Sequence, residues 1–529
     1  MARPWLSKWV SSFGVSLGVS LMALHILTNR YGIGRRETRS AHYHSRMRFV
    51  LLTFLVFLHA PALAALELPD LGDPARVAFS DEAEARLGRE IMRQIRTSRD
   101  FVDDAVLVDY LNRLGERVVA GSDDPRRRFE FFVVRDPTIN AFALPGGYIG
   151  VHTGLLSATR SESELAGVLA HEVAHVTQHH LARMVHGSEG LGLAALAGVA
   201  VAILAARSNP QLANAALATT QALGIQQQID FTRAHEHEAD RVGYQILDAA
   251  GFDPAGMASF FERLMAQGRL YDNSAPVYLR THPLSHDRMA DLQNRVAQHP
   301  YRQSQDSPEF ALLRAQIQAH EGLVVEAVRR FKAQVAEQPK APAARYGLIE
   351  ASLRDNDARA ALPQREVLQR LLTTPLVAMQ AARVTAALHG AAAALPELQA
   401  ALLRWPGDRA LGYAAIRMAL QAGQPQSAYA LVLERQRTWP EDGVLWRLLA
   451  ETEMARGRRL ESALAQAEAY QREGLLPAAV EVLQAALREA RQDRRQGDFY
   501  LLSIAESRLN SLQEASLRER GEKGRGKPR

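Results

Sequence analysis

Gly322, Asn356, Gly390, Gly423 and Gly457 recur at intervals of 34, 34, 33 and 34 residues. Pro339, Pro375, Pro406 and Pro440 recur at 36, 31 and 34, two of them directly after Trp405 and Trp439. Between these marks run Ala- and Leu-rich amphipathic segments such as 411–420 and 428–435. A period near 34 residues built of two amphipathic stretches predicts paired helices of the tetratricopeptide type. Gly or Asn supplies the turn inside each pair, and proline sits near the connection between pairs. A single pair cannot bury its apolar face, so neighbours stack into a superhelix with a concave surface. Four to five repeats fit between residues 305 and 510. Such a surface is expected to dock protein partners. The alternative is an all-helical domain that packs on the rest of the chain and covers its cleft.

The 529 residues exceed what one compact core organises, which implies two or three domains. The chain has no cysteine, so disulfides, thiol nucleophiles and thiolate metal sites are excluded. Any transition metal must be held by His, Asp or Glu. The formal net charge of +5 is misleading. Residues 1–64 carry eight Lys/Arg and one acid, Glu37, whereas residues 65–529 hold 55 basic against 57 acidic side chains. No global basic field remains to attract phosphate. Phosphate loops, dinucleotide fingerprints and basic–aromatic interleaving are also missing, so no nucleic-acid partner is expected.

Met47-Arg48 precedes an apolar run from Phe49 to Leu58, then Ala62-Leu63-Ala64. This is a positive start, a short hydrophobic region and a small-x-small cleavage site, expected to act as a cleavable signal peptide over 47–64. A membrane anchor is the competing reading, although the run is short for a bilayer. Residues 1–46 place a weaker apolar stretch ahead of a complete signal and are read as an extension upstream of a start at Met47. The end of the chain, 511–529, is basic and is expected to be a frayed, disordered tail.

From Ser161 to His180 the pattern is helical, with Leu165, Val168, Leu169, Val173 and Val176 at three- and four-residue steps. His171 and His175 are four apart and share a face, so their imidazoles can hold one metal ion. Glu172 is offset by about 100° and can reach a water beside that ion. Nearby Leu169, Ala170, Val173 and Ala174 suggest a helix half-buried in the core. A third ligand is needed. Glu236 and Asp240, four apart at the opening of another helical stretch, offer a ligand and an acceptor for the second N–H of a ligating histidine. On chemistry alone His235, His237 and Glu238 compete for the third position, and His179 and His180 lie near. Each of these five is expected at the surface. Phe129–Val134 and Tyr148–His152 read as strands, and Pro145-Gly146-Gly147 as the turn joining 140–144 to the second.

His171-Glu172-x-x-His175 with Glu236-x-x-x-Asp240 resembles the HtpX and CAAX-prenyl-protease group of gluzincin metallopeptidases. Asn140-Ala141-Phe142-Ala143-Leu144-Pro145-Gly146-Gly147 resembles that group's segment before the metal helix, and Thr281-His282-Pro283 with Arg288 its downstream motif. The resemblance covers about residues 70–300. It implies one zinc ion on His171, His175 and Glu236, with Glu172, Asp240 and His282 as catalytic residues. It further implies that Asn140, Ala141 and Phe142 belong to an edge strand that pairs with substrate backbone. Arg288 would support the His282 loop. His282 itself is implied to be either a gate that caps the zinc at rest or a transition-state donor. Combined with a signal peptide and repeats, the resemblance implies a periplasmic zinc endopeptidase with chaperone activity. Its repeats would recruit misassembled outer-membrane proteins and their assembly machinery. A non-proteolytic scaffold with a dormant zinc site is the alternative.

The expected architecture is therefore α+β and mainly helical. A zincin-type peptidase domain with a small edge sheet spans 65–300, and an all-α repeat superhelix spans 301–510. Leu191–Ala206 is nearly unbroken Leu, Ala, Val, Ile and Gly, about 24 Å as a helix and short of a bilayer core. Three readings stand for it: a lid near the active site, peripheral membrane contact, or a buried hairpin.

Overall fold

The computed structural model describes residues 80–187, 225–270, 276–300, 302, 304–492 and 499–525. The signal segment, the N-terminal extension and Leu191–Ala206 lie outside the described residues. In the first part of the chain the described helices are α1 (Asp81–Arg96), α2 (Ala105–Val119), α3 (Thr153–Ala158), α4 (Glu162–Thr177) and α5 (His180–Gly187). They are followed by α6 (Ile225–Ala249), α7 (Ala255–Leu270), α8 (Val277–Thr281) and α9 (His286–Gln298). The strands among the described residues are β1 (Phe101–Val102), β2 (Glu130–Val134), β3 (Ala141–Leu144) and β4 (Tyr148–His152).

The sheet order is β1-β2-β4-β3, with β2 parallel to β4 and both other pairs antiparallel. The aromatic and β-branched run of β2 is buried on both faces, as a strand covered on both sides must be. Phe131 and Val133 enter the main core with α2 and α4, while Phe132 and Val134 pack against Ile91, Met92 and Ile95 of α1. Strand β3 lies at the sheet edge and beside α4. The expected strands and the Pro-Gly-Gly turn are found within a residue of their predicted bounds.

Helix α4 is buried all round rather than on one side: Leu165, Ala166, Val168, Leu169, Ala170, Val173 and Ala174 are inaccessible to solvent. Ser161 caps its start by accepting from the Glu164 amide. Its neighbour α6 approaches closely at Gly243, where an added Cβ would lie 3.1 Å from the backbone of Ala170 and His171. The glycine lets α6, with its acidic residues, lie close against the helix of His171.

Among the described residues the chain continues through α10 (Pro308–His320), α11 (Val324–Glu337), α12 (Pro342–Arg354), α13 (Ala358–Leu371), α14 (Pro375–His389) and α15 (Ala391–Arg404). The remaining helices are α16 (Arg409–Gln421), α17 (Pro425–Thr438), α18 (Gly443–Ala455), α19 (Arg459–Arg472), α20 (Leu476–Gln492) and α21 (Phe499–Arg525). Gly322, Asn356, Gly390, Gly423 and Gly457 each stand at the turn inside a pair with φ between 58° and 85°. That left-handed backbone is why glycine or asparagine recurs there. The mainly helical α+β architecture with stacked repeats is as expected. One difference concerns the end of the chain: residues 511–525, expected as a disordered tail, continue α21.

The repeats are not a separate bead. One continuous core joins Leu111 of α2 and Val173 of α4 to Phe310 and Leu313 of α10 and Tyr346 of α12. Ion pairs extend the contact. Asp109 pairs with Arg409, which also reaches Asp442 at 3.2 Å, and Asp103 pairs with Arg447. Arg113 binds Glu309 at 2.7 Å. These pairs are partly exposed, so apolar burial does most of the joining. Asp109→Ala is accordingly expected to lower stability by no more than about 1 kcal/mol, with the loss shrinking at high salt, in denaturant titrations. Among the described residues no helix is long and apolar enough to cross a membrane.

Candidate metal centre

Four side chains from two helices and one helix end converge: His171 and His175 from α4, Glu236 from α6, and His282 at the end of α8. His171 Nε2 lies 3.0 Å from His175 Nε2, 3.3 Å from Glu236 Oε2 and 3.3 Å from His282 Nδ1. His175 Nε2 is 3.4 Å from Glu236 Oε1, and His282 Nδ1 is 3.1 Å from that same oxygen. Ligands bound tetrahedrally at about 2.0–2.1 Å are separated from one another by roughly 3.3 Å. With Glu236 offering both carboxylate oxygens, the four side chains bring donors to separations of 3.0–3.4 Å, close to this spacing and compatible with one shared ion.

Charge favours the same conclusion. Glu172, Glu236 and Asp240 are buried together, with the permanent cation Arg288 bound to Glu236 and Asp240. A dication balances the remaining two negative charges. Burial opposes charge on Glu236, but His282, His171 and His175 outweigh it and hold the carboxyl well below its usual range. Burial likewise disfavours a charged His171, yet Asp240 and Glu236 lift it to about 9. A bound cation would take over the role of that proton.

Glu236 and Asp240 project one turn apart from α6, which begins at Ile225 rather than at Glu236 as expected. Asp240 Oδ1 faces His171 Nδ1 at 3.2 Å. The Arg288 guanidinium grips Asp240 through Nε and Nη2 at 2.6 and 2.7 Å and donates from Nη1 to the Pro283 carbonyl at 2.6 Å. It thereby ties α6 to the loop that carries His282.

Glu172 is 1% exposed, and neither carboxylate oxygen has a hydrogen-bond partner among the described residues. His282 Nε2 lies 3.5 Å from Glu172 Oε1. Leaving a buried carboxylate unsatisfied costs several kcal/mol and is kept where a water or substrate group completes the shell. The His282 backbone leaves the helical region before Pro283, with φ −125° and ψ 80°, as a residue ahead of proline should, and its ring stacks on Tyr278 with centroids 4.6 Å apart. Tyr278 is fully buried, and its amide donates to the carbonyl of Ile139, next to Asn140. Asn140 is 1% exposed; its carbonyl accepts from the His152 amide, and its side-chain amide has no partner among the described residues. Ala141 and Phe142 follow in β3, with Phe142 packed edge-on against Phe132 and His152.

The helix expected through His180 breaks earlier. It ends at Thr177, His179 adopts φ +52°, and α5 starts at His180. Two of the five histidine and acid side chains expected at the surface are instead inside: His180 and His235 are 4% and 5% exposed and stack 4.2 Å apart. His237 is exposed, and His179 and Glu238 are half-buried.

Residues 107–296 match the peptidase family M48. The beta-barrel assembly-enhancing protease of Yersinia pestis is 34% identical over 455 residues, which is 81% of this chain and 90% of that protein. This chain belongs to that family of metalloendopeptidases. The protein of the same name in Escherichia coli K12 is 35% identical over 457 residues, covering 82% of this chain and 92% of that one. The mitochondrial metalloendopeptidase OMA1 of Schizosaccharomyces pombe is 32% identical over 185 residues, 35% of this chain and 51% of its own. The likeness to that more distant enzyme spans only part of either chain, whereas the first two relatives match through the helical repeats as well. The family requires a metal, and the four converging donors are suited to hold one.

Proposed function

We propose that the chain is a zinc-dependent endopeptidase of the bacterial cell envelope that removes misassembled outer-membrane proteins. The observation that carries the site assignment is the convergence of four donor side chains, with the orphaned Glu172 carboxylate beside them. His171, His175 and Glu236 hold the zinc, Asp240 orients His171, and Arg288 neutralises Glu236 and Asp240 while bracing the His282 loop. Zinc bound there would supply Lewis-acid activation of water and of the scissile carbonyl. Glu172 takes the proton from the attacking water and passes it to the leaving amine. In the segment Asn140, Ala141 and Phe142 the backbone groups of alternate residues turn away from β4 and are available to an extended substrate, a mode that reads main chain rather than sequence. The names of the relatives point to substrates from outer-membrane β-barrel assembly. The leader-like 47–64 segment supports export, and the repeats supply a surface for recruiting clients and assembly partners.

His282 decides the state of the site. Its Nδ1 lies among the donors, where it would fill the position a catalytic zinc keeps for water. This favours the gate reading: the resting site is closed, and the loop must move before cleavage. His282→Ala is expected to raise the rate on an unfolded protein substrate at unchanged zinc content, measured by gel densitometry. A loss of activity in that variant would make His282 a transition-state donor instead. The same observation keeps the second reading, a scaffold whose zinc site is dormant.

Metal analysis together with cleavage tests the whole proposal. Purified chain should contain one zinc, cleave a urea-denatured outer-membrane β-barrel protein and spare its folded form. Chelation should stop cleavage and added zinc restore it. A chain without zinc, or one inactive both as wild type and as His282→Ala, would overturn it.

A further inference from the structure

His171 has an evident outer partner in Asp240, but among the described residues no carboxylate touches the second ring nitrogen of His175. That nitrogen, Nδ1, is 2.8 Å from Nδ1 of His180. His180 Nε2 is in turn 3.1 Å from Glu238 Oε2, and the same oxygen accepts from Arg183 Nη1 at 2.8 Å. The ring of His235 lies flat against His180, with centroids 4.2 Å apart and planes 7° apart. His180 is 4% exposed and Glu238 sits at the margin, its side chain 27% exposed.

The proton positions along this chain are fixed by elimination. A carboxylate paired with arginine can only accept, so His180 must carry its proton on Nε2 to donate to Glu238. The Nδ1 of a neutral His180 is then a lone pair. His175 must present Nδ1–H to it, which leaves the His175 Nε2 lone pair facing His171 and Glu236. A ligand role for His175 requires the same order, because a ring nitrogen that binds metal carries no proton and leaves Nδ1 as the donor. No other tautomer arrangement satisfies every contact.

We infer that His180 is a positioning residue for the metal site, a relay through which Glu238 fixes the tautomer and ring orientation of His175. The inference rests on His175 being a ligand. The local fold explains how a residue five places on can do this. On an uninterrupted helix His180 would be rotated by about 140° from His175, away from its ring. The left-handed turn at His179 breaks the helix and folds His180 back onto that ring. His171 is held directly by an acid, and His175 is held by an acid through an imidazole.

Zinc affinity of the full chain, measured by competition with a chromogenic chelator, tests this. His180→Leu should weaken zinc binding about 10- to 100-fold, the effect expected when a ligating histidine loses its outer partner. His180→Asn should stay within a few-fold of wild type, because its Oδ1 can stand where Nδ1 stood and accept the same proton. Glu238→Ala, at the margin of the site, should weaken zinc binding in the wild-type background and have no effect in the His180→Asn background. Thermal unfolding of the metal-free variants supplies the control for packing and should change little between His180→Asn and wild type. Wild-type zinc affinity in His180→Leu, or equal weakening in His180→Leu and His180→Asn, would overturn the relay. Unchanged zinc binding in His175→Ala would overturn both the relay and the ligand assignment. Loss in His175→Ala with no effect of the His180 variants would overturn the relay alone.

Discussion

Glu172→Gln should keep its zinc and lose cleavage by about two to four orders of magnitude, the usual contribution of a positioned general base. The substitution is nearly isosteric, and Glu172 makes no hydrogen bond to the protein among the described residues that the change could break. Removing the charge should even relieve the fold, because an unsatisfied buried carboxylate is replaced by a neutral amide. The expected pattern is therefore specific: unchanged or slightly higher thermal stability, unchanged zinc stoichiometry, and a collapse of kcat on an unfolded substrate. KM should hardly move, since the proposed substrate contacts lie along the edge strand and not at Glu172. Combined with His282→Ala, the variant should remain inactive, because an open gate does not replace the base. Residual activity within tenfold of wild type would remove Glu172 from the role of base and point to a different proton acceptor.

The features that can be read from the sequence are those set by local geometry. Two histidines four apart share a helix face wherever the helix sits, and a left-handed turn selects glycine or asparagine at every repeat. Asn356 with φ +58° obeys this rule as closely as the glycines. What cannot be read depends on contacts between distant segments or on irregular backbone. Helical periodicity extended through His179 puts His180 at the surface, but His179 is a non-glycine residue that adopts φ +52°. A histidine followed by another histidine at the end of a motif helix carries no sign of such a break. His235 is buried with its ring stacked on the folded-back His180. Helices α10 and α12 are apolar on most sides, which announces that they are buried, but not that α10 is to be covered by α2 and α3. For that reason the parts on either side of the boundary expected near residue 300 share one core. Removing the repeats would strip apolar cover from the peptidase part. A truncated chain therefore does not report on client docking alone. Point changes such as those at His180, His282 and Arg288 separate site chemistry from this packing.

Arg288→Ala should cost about 3–5 kcal/mol in the metal-free chain, the penalty for leaving a buried charge without its partner. Arg288 is 2% exposed and serves Asp240, Glu236 and the Pro283 carbonyl together. A lysine at this place would keep the charge but could not grip Asp240 through two nitrogens, so Arg288→Lys should fall between alanine and wild type. The pH dependence identifies the mechanism. Burial pushes the Asp240 carboxyl up, but Arg288 and His171 outweigh it and hold it below its ordinary value; Glu236 is depressed as well. In wild type the stability from these groups is present above their unfolded pKa values of about 4 and is lost as pH falls through the depressed folded values. Without Arg288 the folded carboxyls rise and take up protons earlier. The deficit of the variant should thus be largest at about pH 7 and narrow below about pH 4, where a protonated carboxyl needs no cation. Bound zinc should shrink it too, since a dication partly supplies the missing charge. Denaturant titrations across pH, with and without zinc, measure both effects. A deficit independent of pH and zinc would mean that Arg288 acts by filling volume, and that the two carboxylates are neutralised by something else.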